Sequence, residues 1–212
     1  ITKNMIQDLN KDSLNGVTPL ISTFIVRSGY DIISIKNFML DSSGEKVYNK
    51  DQHLMSSKSI YVKGVEFVYT NDKKSKRTID YLSFNAEDQS LIKHTEIENY
   101  LTNNIPNQTT TYLKSASYLL HYTTFSKIRN LCLSKSRYIL QDDTGIPYKY
   151  LAKDWNISVF GTYIKPIADF SGVFQKDLDS FYNVHKIKET FPFNMGYHYF
   201  TGKQNLLFAQ RK

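Results

Sequence analysis

The chain predicts a mixed fold, α/β or α+β, in which a largely antiparallel sheet carries helices packed on it. Three observations lead there. Residues 15–29, NGVTPLISTFIVRSG, have helical periodicity and pass through a glycine into an apolar run at 31–40. Residues 59–70 and 77–85 alternate apolar and polar on either side of a polar loop, as the arms of an antiparallel hairpin do. Beyond residue 110, helical and strand-like stretches follow one another again.

Each element has its local reason. In 15–29, Val17, Leu20, Ile21, Phe24 and Ile25 make one broad apolar stripe, Pro19 sits where only a first turn tolerates it, and Gly29 stands at the C-terminal cap position. DIISIKNFML, 31–40, has apolar groups on both faces and reads as a buried strand. Residues 41–57 are polar with Gly44 and several serines, a loop. In SIYVKGVEFVYT, 59–70, Val65, Phe67 and Tyr69 share a face, and Gly64 marks a candidate bulge. RTIDYLSFN, 77–85, alternates likewise. TEIENYLTNN, 95–104, is a short amphipathic helix that NNIPNQTTT, with Pro106, breaks. TYLKSASYLLHY, 111–122, places Leu113, Ala116, Ser117 and Leu120 on one helical face, and FSKIRNLCLSKS follows as a second helix after a sharp corner. Strand-like RYILQ, IPYKYL and WNISVFGTYI come next, then the short helix QKDLDSFYNV, and GYHYF and NLLFAQ form a hairpin about TGKQ.

A chain of 212 residues, 41% hydrophobic and 14% aromatic, can bury a core without disulfide or metal. A single domain over 1–212 is expected, with residues 104–110 as the candidate internal boundary. Cys132 is the only cysteine, so no internal disulfide forms and no cysteine-rich zinc site exists. It shares a helical face with Ile128 and Leu131 and reads as a small buried hydrophobe rather than a nucleophile. A lone cysteine fits a reducing compartment without excluding export; the periplasm or cell surface is slightly favoured over the cytoplasm. No apolar run reaches the ~20 residues of a membrane span, and the chain starts at Ile1 without a signal peptide, as the product of processing or trimming would.

The net charge of +7 owes much to NDKKSKR, 71–77. Lys73, Lys74, Lys76 and Arg77 could meet phosphates, but a solvated hairpin loop is the simpler account, and the other lysines are scattered. Nucleic acid is the least favoured partner. Gly-x-Gly-x-x-Gly and Walker motifs are missing, so no nucleotide cofactor is expected, nor any other.

The stretch most suggestive of chemistry is ILQDDTGIPYKYL, 139–151. Asp143-Thr144-Gly145 spells the tripeptide of an aspartic-protease site, whose two loops share a proton between carboxylates. Only one copy is present, its flanks differ from that pattern, and a symmetric dimer would crowd four carboxylates. Asp side chains bond nearby amides and Gly145 accepts positive φ, so a hairpin turn between two strands is preferred. If the protein is an enzyme, Asp142, Asp143 and His121 are the candidate catalytic residues, in a hydrolase. Ser117 and His121 lie four apart on one helical face, but no nucleophile elbow accompanies them, and a packed histidine is the preferred reading. His121 and His185 form no spaced ligand pair, and no metal site is expected. The 16 Tyr, 13 Phe and Trp155 offer flat apolar faces with polar tips, suited to sugars and protein partners, although a tyrosine-rich core explains them as well. Tyr148, Tyr150 and Trp155 are the candidate binding residues.

The blocks YLKSASYLLHYTTFSKIRN, ILQDDTGIPYKYL, Trp155, FGTYIKPI and NLLFAQRK resemble a family of uncharacterised bacterial proteins. The likeness runs from about Thr18 onwards and is most specific over 112–167. It implies that the chain is the later part of a longer protein, and it transfers no activity and no functional residue. The leading functional expectation is a non-catalytic bacterial binding domain that holds a glycan or a protein through an aromatic surface. A hydrolase with paired carboxylates is the alternative, and a basic nucleic-acid binder the third.

Overall fold

The computed structural model describes residues 17–48, 62–72, 75–114, 117–164, 172–187 and 204–212. The chain divides into two compact units, Ile1–Asn85 with Leu91–Asn103, and Ala86–Ser90 with Asn104–Lys212. The fold is mixed α/β with largely antiparallel strands and helices packed alongside, as the hydrophobic patterning predicts, but the strands form two sheets where one was expected.

The first unit holds helix α1 (Val17–Arg27) and strands β1 (Asp31–Leu40), β2 (Lys46–Tyr48), β3 (Lys63–Thr70) and β4 (Arg77–Leu82), in the order β2-β1-β3-β4, all antiparallel. Gly29 ends α1 at φ +82°, and its amide donates to the Val26 carbonyl, the expected cap. Ile21 and Ile25 of α1 pack on Val65 and Phe67 of β3. Against the opposite face lies helix α3 (Thr95–Asn104), whose Tyr100 ring stacks on Phe38 at 6.4 Å; helix α2 (Asp88–Lys93) precedes it. Gly64 is no bulge: it pairs in register with Phe38 and Leu82, and a Cβ there would run into the Phe38 ring. The ladder is irregular instead between Ile32 and Ser34. Ile33 and Ile35 are exposed, so β1 is not the wholly buried strand its composition suggests. Residues 41–57, expected as loop, contribute β2 as far as they are described.

The second unit holds β5 (Thr109–Leu113), helix α4 (Ser126–Lys135), β6 (Ser136–Gln141), β7 (Trp155–Gly161), helix α5 (Lys176–His185) and β8 (Asn205–Arg211). Its strand order is β5-β6-β8-β7, with β5 and β6 parallel and β8 antiparallel to both its neighbours. Ile139, Ala209 and Ile157 stand in one cross-strand row, Leu207 and Val159 in the next. This face meets Leu178 and Tyr182 of α5 and Ile128, Cys132 and Leu133 of α4, which together make the core.

Three local expectations are corrected here. Residues 111–122 are not one helix. Thr109–Leu113 pairs with β6, because a threonine-rich run with a ready partner gains more as a strand, and only Ser117–His121 turns, as a 3-10 helix. IPYKYL is not a strand: Tyr148–Tyr150 is a 3-10 turn. The hairpin expected about DDTG, with RYILQ and IPYKYL as its arms, therefore does not form: RYILQ is a strand, but β5 and β8 are its ladder partners. The GYHYF arm of the expected terminal hairpin lies outside the described residues.

Candidate functional site

The turn after β6 is the most enclosed polar region among the described residues. Leu113, Gln141 and Leu207 are register partners, so Lys114, Asp142 and Asn205 gather at one end of the sheet. Asp142 is 0% exposed and Asp143 6%. A buried carboxylate is costly unless its charge is paired or hydrogen-bonded; Asp142 has a cation and hydrogen-bond donors, and Asp143 an amide donor. Asp142 Oδ1 accepts from the Thr144 amide at 3.0 Å and the Thr144 hydroxyl at 2.6 Å. Its Oδ2 accepts from Lys114 Nζ at 3.1 Å. Asp143 Oδ1 accepts from Asn205 Nδ2 at 2.9 Å, while Asn205 Oδ1 accepts from the Asp143 amide at 2.9 Å. Ser117 Oγ extends the network to Thr144 Oγ1 at 3.0 Å.

Asp142 therefore serves the chain reversal, which the Gly145 amide closes by donating to the Asp142 carbonyl at 3.1 Å. Asp143 does not: it ties the turn to β8. Gly145 does not use positive φ either; among the described residues the glycines that do are Gly29, Gly44 and Gly161. A Cβ on Gly145 would collide with the side chain of Gln141. That side chain is itself fixed, with Nε2 donating to the Ile146 carbonyl at 2.8 Å and Oε1 accepting from the Ile146 amide at 2.9 Å.

Beside this turn opens a cleft of about 230 Å³, walled by His121, residues 147–149 and residues 172–177. Gln175 holds its two sides together. Its Oε1 accepts from the Tyr148 amide at 2.6 Å, its Nε2 donates to the Asp143 carbonyl at 2.9 Å, and its own amide donates to Tyr163 Oη at 3.0 Å. Tyr148 rests on Phe181 at 5.3 Å between centroids, and Phe174 stacks on Tyr163 at 5.6 Å. Burial pushes the Tyr163 hydroxyl up to about 12, so it stays protonated.

His121 lines the cleft, and its Nε2 is buried with no hydrogen-bond partner. Burial pulls its pKa down to about 4, the Lys149 and Arg129 cations add to this, and the Gly145 and Thr144 carbonyls oppose it. The imidazole is neutral at pH 7. The 3-10 geometry, at 3.0 residues per turn, sets Ser117 and His121 about 120° apart rather than on one face, and the Ser117 hydroxyl bonds Thr144 instead.

The aromatic candidates separate. Trp155, expected at a surface, is 4% exposed and belongs to the core, its ring under the Arg211 guanidinium at 4.7 Å. Tyr150 is exposed outside the cleft, its ring met by Arg129 at 4.5 Å and Lys149 Nζ at 5.1 Å. Only Tyr148 lines the cleft. His185 is exposed and stacks on Phe181 at 4.3 Å. Burial raises the Cys132 thiol to about 11, out of reach of thiolate chemistry at neutral pH. Lys73 and Lys74 lie outside the described residues, and Arg77 donates to Tyr30 Oη at 3.1 Å.

Lys114, Lys149, Phe174, Gln175, Lys176 and Asn205 are the participants that sequence reasoning misses. No local spacing marks them; Asn205 stands 62 residues from its partner Asp143. Among the described residues no group of three or more His, Cys, Asp or Glu could hold a metal ion, and no helix is long and apolar enough to cross a membrane. Comparison of the chain with protein-family models, with curated proteins and with solved structures finds no match in any of the three.

Proposed function

We propose that the second unit is a non-catalytic binding domain for a saccharide, held as a single ring in the cleft between residues 147–149 and 172–177. One observation carries the reading: aromatic residues and polar side chains line the same small cavity, while Asp142 and Asp143 are enclosed and hydrogen-bonded away from it. A volume of about 230 Å³ falls below the roughly 300–1,000 Å³ of drug-sized sites and suits one sugar ring. Tyr148 and Phe174 each have one ring face taken by a neighbour. The second face of each would meet the apolar side of a sugar, and Asp177, Lys149 and Lys176 would take its hydroxyls. Gln175 braces the walls by fixed hydrogen bonds, so little ordering entropy remains to be lost on binding.

Hydrolysis by Asp142 and Asp143 has less behind it, because neither acid lines the cleft and each already has its partners. Ligand-observed NMR of the whole chain against a panel of neutral and acidic monosaccharides at millimolar concentration tests the proposal. Binding should disappear in Tyr148→Ala and Phe174→Ala while both variants stay folded. If no saccharide gives a signal with the unaltered protein, the reading fails.

A further inference from the structure

We infer that the saccharide is an acidic one, a sugar ring bearing a carboxylate or phosphate that Lys149 and Lys176 receive at the rim of the cleft. This rests on the saccharide reading above. The charged side chains on the wall are Lys149, Lys176 and Asp177, and His121 faces them as the remaining titratable group with Tyr148. His121 is uncharged at neutral pH, since burial keeps its pKa near 4, and the Tyr148 hydroxyl is held up by burial and by Asp177, so it is uncharged too. Among the described residues the rim thus has two cations against one anion. Lys149 and Lys176 are both exposed, so their ammonium groups can reach a ligand without first being stripped of water. A neutral sugar would leave that excess unused, and an amino sugar would meet like charge. Lys149 and Lys176 come from the two lining segments, which the bond from the Tyr148 amide to Gln175 joins. Lys149 Nζ lies 5.1 Å over the exposed Tyr150 ring and would swing from there to an anionic group at the rim.

The test is titration calorimetry of the full chain at pH 7 and low salt with galactose, galacturonate and glucose 6-phosphate, with acetate and inorganic phosphate as ring-free controls. The acidic sugars should bind more tightly than galactose. Their advantage over galactose should shrink on raising the salt, and should fall by about 2- to 10-fold in Lys149→Gln/Lys176→Gln, a larger loss than galactose itself suffers there. Both positions are exposed, so the variant should fold. Galactose binding as tightly as galacturonate would overturn this inference and leave the saccharide reading intact. Acetate or phosphate binding as tightly as the sugar acids would overturn both in favour of a bare anion site. If none of the five binds, the saccharide reading falls and this inference with it.

Discussion

Gly145 is glycine because another side chain stands where its Cβ would be. Gln141 reaches back over the turn and is locked by both its amide atoms to Ile146. Gly145→Ala should therefore cost about 1–3 kcal/mol, the range for forcing an extra carbon into a packed site; a urea midpoint equal to that of the parent would refute the account. QDDTG announces a turn in the sequence, and the Asp142 contacts with Thr144 show why. The reason for the glycine was not legible there, since the Gln141 rotamer depends on the whole turn closing. His121 adds a pH dependence. Its folded pKa, about 4, lies below the 6.5 of the free side chain. Between these values the unfolded chain binds more protons, so stability is complete above about pH 6.5 and falls as pH drops towards 4, by at most about 1.4 kcal/mol per unit from this group. Thermal melts from pH 7 to pH 4 should show a shallower fall in His121→Leu, and identical slopes would contradict it.

Among the elements, α4 shows how a helix can be started from outside its own sequence. Its N-cap position, Phe125, offers no side-chain bond. Asp88 takes that role from 38 residues earlier, accepting from Ser126 Oγ at 2.6 Å, the Ser126 amide at 3.2 Å and the Lys127 amide at 2.9 Å. Burial pushes the Asp88 carboxyl up, but these donors outweigh it and hold it below its usual range. Asp88→Ala should cost about 0.5–2 kcal/mol, as loss of an N-cap does, read from chemical denaturation; a change below ~0.3 kcal/mol would deny Asp88 that part. The helices at 17–27, 95–104 and 126–135 are legible in the sequence as apolar or amphipathic faces, and 176–185 as a short helix. Thr109–Leu113 was not, because Leu113, Ser117 and Leu120 mimic a helical face when read in isolation. What decided the matter was β6, the parallel partner strand that begins at Ser136, to which Thr111 Oγ1 also bonds through Ser136 Oγ at 2.5 Å.

At the scale of the molecule, the alternation of apolar residues was enough to give the class of fold, but not the strand order. Strand β8 shares its ladder with β6 and β7, and its first residue, Asn205, completes the polar turn through Asp143. Nothing in NLLFAQ distinguishes a central strand from an edge one beyond its run of apolar residues. A chain ending at Gln204 should lose the second sheet altogether rather than fray at one side. Its amide NMR spectrum should keep dispersed signals from the first unit only, and dispersed signals from β6 and β7 would contradict the prediction. The same placement sets an order of events during synthesis. Every residue of the first unit has emerged by Asn103, whereas the second cannot close until β8 arrives, about 5–20 s later at ordinary elongation rates. For that interval the nascent chain displays the unclosed flanks of β6 and β7, and a holdase on the ribosome would find its substrate there.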